Sequence, residues 1–271
     1  RNTWPGDDLV RDRPARREAA APSAPEAERG WLESCFAQLD TDASRAHTMA
    51  QIRRSETSGA ERVLANHCLG TAASALELWD DARSAFAAAR AETPEDETRA
   101  RARFAALAGA AALAGGDAAG AADLLALAEA DARTAGAAQI EAIAATDRAR
   151  ALVSLQRGEE ALAALDTATL RAPERSEGWL LKATLLRRLD RLDEAQAAIE
   201  KAVALAPGAD GLGPEIGLEA GLIAALAGRD EAARASWLSV IELAPQSPAA
   251  RTARDYLDQL RPPVTLPQAS G

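Results

Sequence analysis

Histidine, cysteine and paired carboxylates are the side chains in this sequence whose types and spacing could do chemistry. There are two histidines and two cysteines; His67 stands beside Cys68, with Cys35 upstream and His47 between them. Three of these could ligate a metal, or a thiolate and an imidazole could form a nucleophile pair. Adjacent residues on a helix point about 100° apart, so His67 and Cys68 do not readily share one centre. No metal, cofactor or catalytic residue is expected from them. The pairs Asp80-Asp81, Glu159-Glu160 and Asp193-Glu194 could serve acid–base chemistry, but they fall at expected helix starts, where negative charge complements the helix dipole. Gly115-Gly116 and Gly120 follow no strand pattern and make no phosphate loop.

The elements that must position these residues are helical. Hydrophobic residues make up 48% of the chain but aromatics only 3%, and alanine, the best helix former, supplies much of the rest. A net charge of −10 repels nucleic-acid phosphates and anionic lipid at long range, which argues against both as main partners. The greasiest stretch, Leu218 to Leu226, falls well short of the roughly 18 apolar residues a membrane span needs, so no direct membrane insertion is expected. Segments 1–26 and 261–271 carry prolines and little apolar surface and read as a disordered tether and tail. The first residue is Arg1, not Met, which suggests a removed targeting segment or a truncation. Lys182 and Lys201 are the only lysines, and with the alanine excess this points to a high-GC bacterial genome.

Between the two ends, apolar stripes at helical spacing recur in self-similar units. From Ser176 they run Trp179, Ala183, Leu186, Ala195, Ile199, Ala202 and Pro207. From Ala142 they run Ala145, Ala149, Leu152, Ala161, Leu165, Ala168 and Pro173, about 34 residues earlier. Further units begin near 63 (Leu69-Gly70, Ala82, Phe86, Ala89, Pro94), 102 (Gly109, Ala121, Leu125, Ala128) and 214 (Gly221, Ala233, Trp237, Val240, Pro245). Unequal intervals imply insertions in three connections, such as Gly208 to Gly213. Small residues midway through the first helices would let each pair cross closely, and the large residues of the second helices would fill the space between pairs. Thr93-Pro94 and Ser247-Pro248 read as N-caps followed by proline at the first helical position.

This pattern resembles the tetratricopeptide repeat. The resemblance covers roughly residues 63–247 and implies an all-α, right-handed α–α superhelix of antiparallel helix pairs. A divergent N-terminal pair at 27–62 and a capping helix at 248–260 would close its ends. It departs from the family in having tryptophan at the first packing site of one unit alone, and Ala or Leu where a tyrosine is usual.

The resemblance also implies a concave groove lined by the first helices. Its register places His67, Thr71 and Ser74 there from the first unit, and Arg103 from the second. Thr146, Arg150 and Ser154 follow from the third, Thr184, Arg187 and Arg188 from the fourth, and Glu215, Leu218 and Leu222 from the fifth. Four arginines would then converge on an acidic peptide or a free C-terminus, unless they pair with neighbouring carboxylates. Cys35 and Cys68 lie close to one repeat apart, at similar heights on adjacent first helices. They form either a disulfide, as in a bacterial periplasm, or two buried packing residues of a cytoplasmic protein. The expectation is a non-catalytic periplasmic scaffold that binds a protein or peptide. Alternatives are the regulatory or substrate-presenting region of a larger enzyme, such as a sulfotransferase or glycosyltransferase, and a homo-oligomer.

Overall fold

A computed structural model describes residues 24–206 and 211–260, with side chains from Gly30 onward. Most of segment 1–26, Pro207 with the first half of the Gly208–Gly213 insertion, and the 261–271 tail lie outside the described residues. Those described form thirteen helices and no strand. In chain order they are α1 (Ala24–Thr41), α2 (Ala43–Glu56), α3 (Gly59–Ala75), α4 (Trp79–Glu92), α5 (Thr98–Ala114), α6 (Ala118–Thr134) and α7 (Ala138–Ser154). There follow α8 (Gly158–Arg171), α9 (Ser176–Arg188), α10 (Leu192–Leu205), α11 (Gly213–Leu226), α12 (Asp230–Leu243) and α13 (Pro248–Gln259).

Consecutive helices pack as antiparallel pairs, and the pairs stack through alanine-rich core clusters, the largest running from Ala105 to Ile223. First helices of neighbouring pairs touch, α5 on α7 and α9 on α11, whereas second helices make no comparable contact with one another. The stack therefore curves, with the first helices on its inner side.

The pairing rests on size complementarity sixteen residues apart. A methyl group added at Gly70 would lie 2.7 Å from the Phe86 ring, and one at Gly109 would lie 2.5 Å from Leu125. Gly221 abuts the Trp237 indole in the same way. Where the small residue is alanine, at Ala149 and Ala183, the buried partner is Leu165 or Ile199. The large residue thus fills the crossing of its own pair first, a closer role than filling the space between pairs. Asn66 occupies the first packing site of its unit, fully buried, with neither amide atom hydrogen-bonded.

Each of the five central pairs turns the same way. The middle turn residue is left-handed at Glu77, Gly116, Gln156, Asp190 and Gly228. The next N–H reaches back to the last turn of the first helix, as from Leu78 to the Ala73 carbonyl at 2.8 Å and from Arg157 to Leu152 at 2.9 Å, which caps the helix end. Ser247 caps α13 through the Ala250 N–H at 3.0 Å, with Pro248 at its start.

Two local expectations are corrected. Thr93 does not cap a helix at Pro94: its hydroxyl donates to the Ala89 carbonyl, Pro94 to Glu97 form a turn, and α5 begins at Thr98. The Arg101 guanidinium donates to the Thr93 carbonyl at 2.9 Å and holds that turn. The insertions ahead of units 102 and 142 do not lengthen loops. They add a turn to the front of α5 and α7, which begin at Thr98 and Ala138 and run 17 residues, against 13 for α9, and they lengthen α6 to 17 residues, against 14 for α8. Hydrogen-bonding the extra residues in helix leaves fewer backbone groups unpaired than a long loop would.

Candidate interaction groove

The inner face of the first helices carries two recesses. The larger, a cleft of about 800 Å³, lies where the added turns of α5 and α7 approach α3. His67, Phe104 and Ile140 form its apolar wall, and Arg99 and Arg103, one helical turn apart on α5, stand at its rim. Asp96 and Glu97 border it at the turn before α5. The smaller recess, about 170 Å³, opens between α7 and α9; Val153, Leu165, Leu181 and Leu185 line it, and Thr184, Arg150 and Arg188 flank it.

His67 packs among all three phenylalanines of the chain. Its ring lies edge-on to Phe36 and Phe104, each at 5.3 Å, and 6.5 Å from Phe86. Burial, and then the positive charge of Arg103, lower its pKa to about 4, so the imidazole is neutral near pH 7. Cys68, next along α3, turns instead into the core, where its sulfur meets that of Cys35 on α1. Both cysteines are fully buried, among Ala46, Leu69, Ala72 and Ala85. Among the described residues no three His, Cys, Asp or Glu side chains gather as a metal site would require.

The four arginines expected in the groove divide into two kinds. Arg150 donates to Asp147 in its own helix and to Glu177 of α9. Arg187 makes a two-pronged pair with Glu219 of α11, 2.6 Å at its shorter contact. Each thus links its helix to the next first helix along the stack, because the following unit presents a glutamate at matching height. Burial, against the pull of Arg150, holds the Asp147 carboxyl above its usual pKa. Arg103 and Arg188 are exposed and pair with no carboxylate among the described residues, and Arg99 shares that condition.

The hydroxyls in the proposed groove set mostly serve their own helices. Thr71 donates to His67, Ser74 to Gly70, Thr146 to Ala142 and Ser154 to Arg150. Thr146 is only 4% exposed, so it packs inside the stack and does not face a groove. Thr184 borders the smaller recess, while Leu218 and Leu222 are half-buried against the C-terminal core. The structure therefore gathers His67 and Arg103 at one recess, and Arg150, Thr184 and Arg188 at the other. Sequence reasoning missed Arg99, Phe104 and Ile140. The signal was present in the Arg99 and Arg103 pair four apart, just ahead of the repeat register.

Residues 176–208 match the family model of the tetratricopeptide repeat. No curated protein matches the sequence. Among solved structures, the chain superposes on pilF of Pseudomonas aeruginosa with a TM-score of 0.64 at 13% identity, over 86% of this chain and 98% of that one. It superposes on PilW, a widely conserved type IV pilus biogenesis factor, with a TM-score of 0.66 at 16% identity, over 84% and 99% of the two chains. YrrB, a TPR protein with an unusual peptide-binding site, gives 0.54 at 18% identity over 78% and 98%. These likenesses establish the fold. Among the described residues no helix is long and apolar enough to cross a membrane.

Proposed function

We propose that the chain, which matches the tetratricopeptide-repeat model at residues 176–208 and shares the fold of a solved tetratricopeptide-repeat protein, is a non-catalytic interaction scaffold that holds a peptide or protein segment against the inner face of its first helices. The observation that carries this reading is the pair of recesses on that face, bordered by Arg99, Arg103 and Arg188, which have no carboxylate partner among the described residues, in a chain of net charge −10. Elsewhere on the face arginines are matched by glutamates across the repeat interfaces, so the unmatched ones mark where a partner's negative charge would be favoured. We further propose that the protein works in a bacterial periplasm with Cys35 and Cys68 bonded, which the adjacency of their sulfurs supports.

Site-specific photocrosslinking in the native organism tests the groove. A crosslinker replacing Arg103 or Arg188 should capture a discrete partner, and one replacing Glu200, exposed on α10, should not. Capture from Glu200 alone would place the partner on the outer face and end the groove reading. Alkylation of freshly isolated protein under non-reducing conditions tests the bond, and two free thiols would reject the oxidised, periplasmic reading.

A further inference from the structure

We propose, resting on the groove reading, that the partner is bound as an extended segment with two anchors at least four residues apart: a leucine-sized apolar side chain in the recess between α7 and α9, and a carboxylate under Arg99 and Arg103. The two recesses are joined by one helix. Ile140 borders the cleft near the start of α7, and Ala149 and Val153 line the smaller recess near its end. At about 1.5 Å per helical residue these positions are roughly 14 to 20 Å apart along α7, and Arg99 and Arg103 lie farther off to the side, on α5. An extended peptide advances about 3.3 Å per residue, so the two anchors are separated by at least about four residues.

The chemistry of each anchor follows from its walls. The smaller recess has four aliphatic side chains around about 170 Å³, which suits one branched aliphatic group and is tight for an indole. At its edge Arg188 has no carboxylate partner among the described residues. In the cleft the charges of Arg99 and Arg103 oppose those of Asp96 and Glu97. Arg103 stands close enough to the inner wall to help keep the His67 imidazole neutral, whereas Asp96 and Glu97 border the turn before α5. The neutral ring and Phe104 exclude water on the inner wall, which strengthens a guanidinium–carboxylate pair formed against them. The cleft exists because of the added turns of α5 and α7, so this anchor belongs to this chain and not to the repeat in general.

A phage-displayed library of random dodecapeptides, panned against the full chain, reads the spacing directly. Enriched peptides should share an acidic and an apolar aliphatic position at one fixed separation of four or more residues. With an enriched peptide labelled for fluorescence anisotropy, Arg103→Glu should weaken binding about tenfold or more, the scale of one charge-assisted hydrogen bond. Filling the recess with Val153→Trp should do the same, with circular dichroism reporting the fold. Should that variant unfold, Thr184→Phe blocks the recess from its rim. Absence of enrichment, a consensus without the paired positions, or affinity indifferent to Arg103→Glu would overturn the two-anchor proposal, while a partner crosslinked at Arg103 or Arg188 in the native organism would leave the groove reading standing. Self-association dispersed by an enriched peptide, seen by light scattering, would assign the groove to a second copy and overturn the proposal as well.

Discussion

At the scale of single residues, His67 ties packing to charge. The folded chain holds it at a pKa of about 4, against 6.5 for the free side chain. Between those values the unfolded chain takes up a proton that the folded chain refuses, so stability falls as pH drops from 6.5 toward 4. The loss is at most about 3 kcal/mol for a shift of this size. Glu129 and Asp147, whose carboxyls burial holds above their usual range, act in the opposite sense over the acidic part of that window. The histidine contribution therefore needs a difference measurement. Chemical denaturation of the native chain and of His67→Leu should give stabilities that diverge in pH slope between 4 and 6.5, the variant being flatter. Parallel slopes would mean that the imidazole is not held neutral by its phenylalanine surroundings.

At the scale of the element, the helix pair is set by the small residue opposite the large one. Gly221 lies against the Trp237 indole, whose N–H donates to the Leu218 carbonyl at 3.2 Å. Gly221→Ala has to displace that ring and break its hydrogen bond, and overpacking of this kind costs about 1 to 3 kcal/mol. The expected result is a lower midpoint in thermal or denaturant unfolding, with partial recovery in Gly221→Ala combined with Trp237→Leu, which restores the pairing seen at Ala149 and Leu165. No recovery in the double variant would show that the alanine harms the helix for another reason. The shared turn explains a second regularity. Glu77, Gln156 and Asp190 adopt the left-handed conformation that Gly116 and Gly228 fill elsewhere. It costs a non-glycine residue about 1 kcal/mol, offset by the capping hydrogen bonds the turn makes.

At the scale of the whole molecule, the stack is held nearest neighbour to nearest neighbour, so its ends depend on local ties. The N-terminal helix α1 contacts only α2 and α3 to any extent, and the proposed Cys35–Cys68 bond joins it to α3 across a loop of 33 residues. Closing such a loop contributes about 3 to 4 kcal/mol in the chain-entropy account. Cys35→Ser is expected to raise amide hydrogen exchange in α1 and α2 while leaving α7 to α10 protected. Uniform acceleration along the chain would indicate that the stack unfolds as one cooperative unit. Farther along, Arg90 with Asp131, Arg150 with Glu177 and Arg187 with Glu219 connect successive pairs. Partly exposed pairs of this kind contribute little stability individually, so they are better understood as fixing how one pair sits on the next.

The sequence by itself determined the pairs. The offset from Gly70 to Phe86 and from Gly221 to Trp237, the acidic starts of α4, α8 and α10, and Ser247-Pro248 are all local, because helix geometry brings residues three and four apart onto one face. It also placed Cys35 and Cys68 at matching heights. Only the tertiary structure decided which arginines are free. Arg150 and Arg187 find their carboxylates 27 and 32 residues away, and Arg103 and Arg188 find none among the described residues, a difference that no helical period encodes. The cleft belongs to the same class: residues that read as loop insertions joined α5 and α7 as extra helical turns and brought Arg99 and Ile140 beside His67. Whether inserted residues extend a helix or loop out depends on what the neighbouring pair allows them to bury, and that surface exists only once the pairs have stacked.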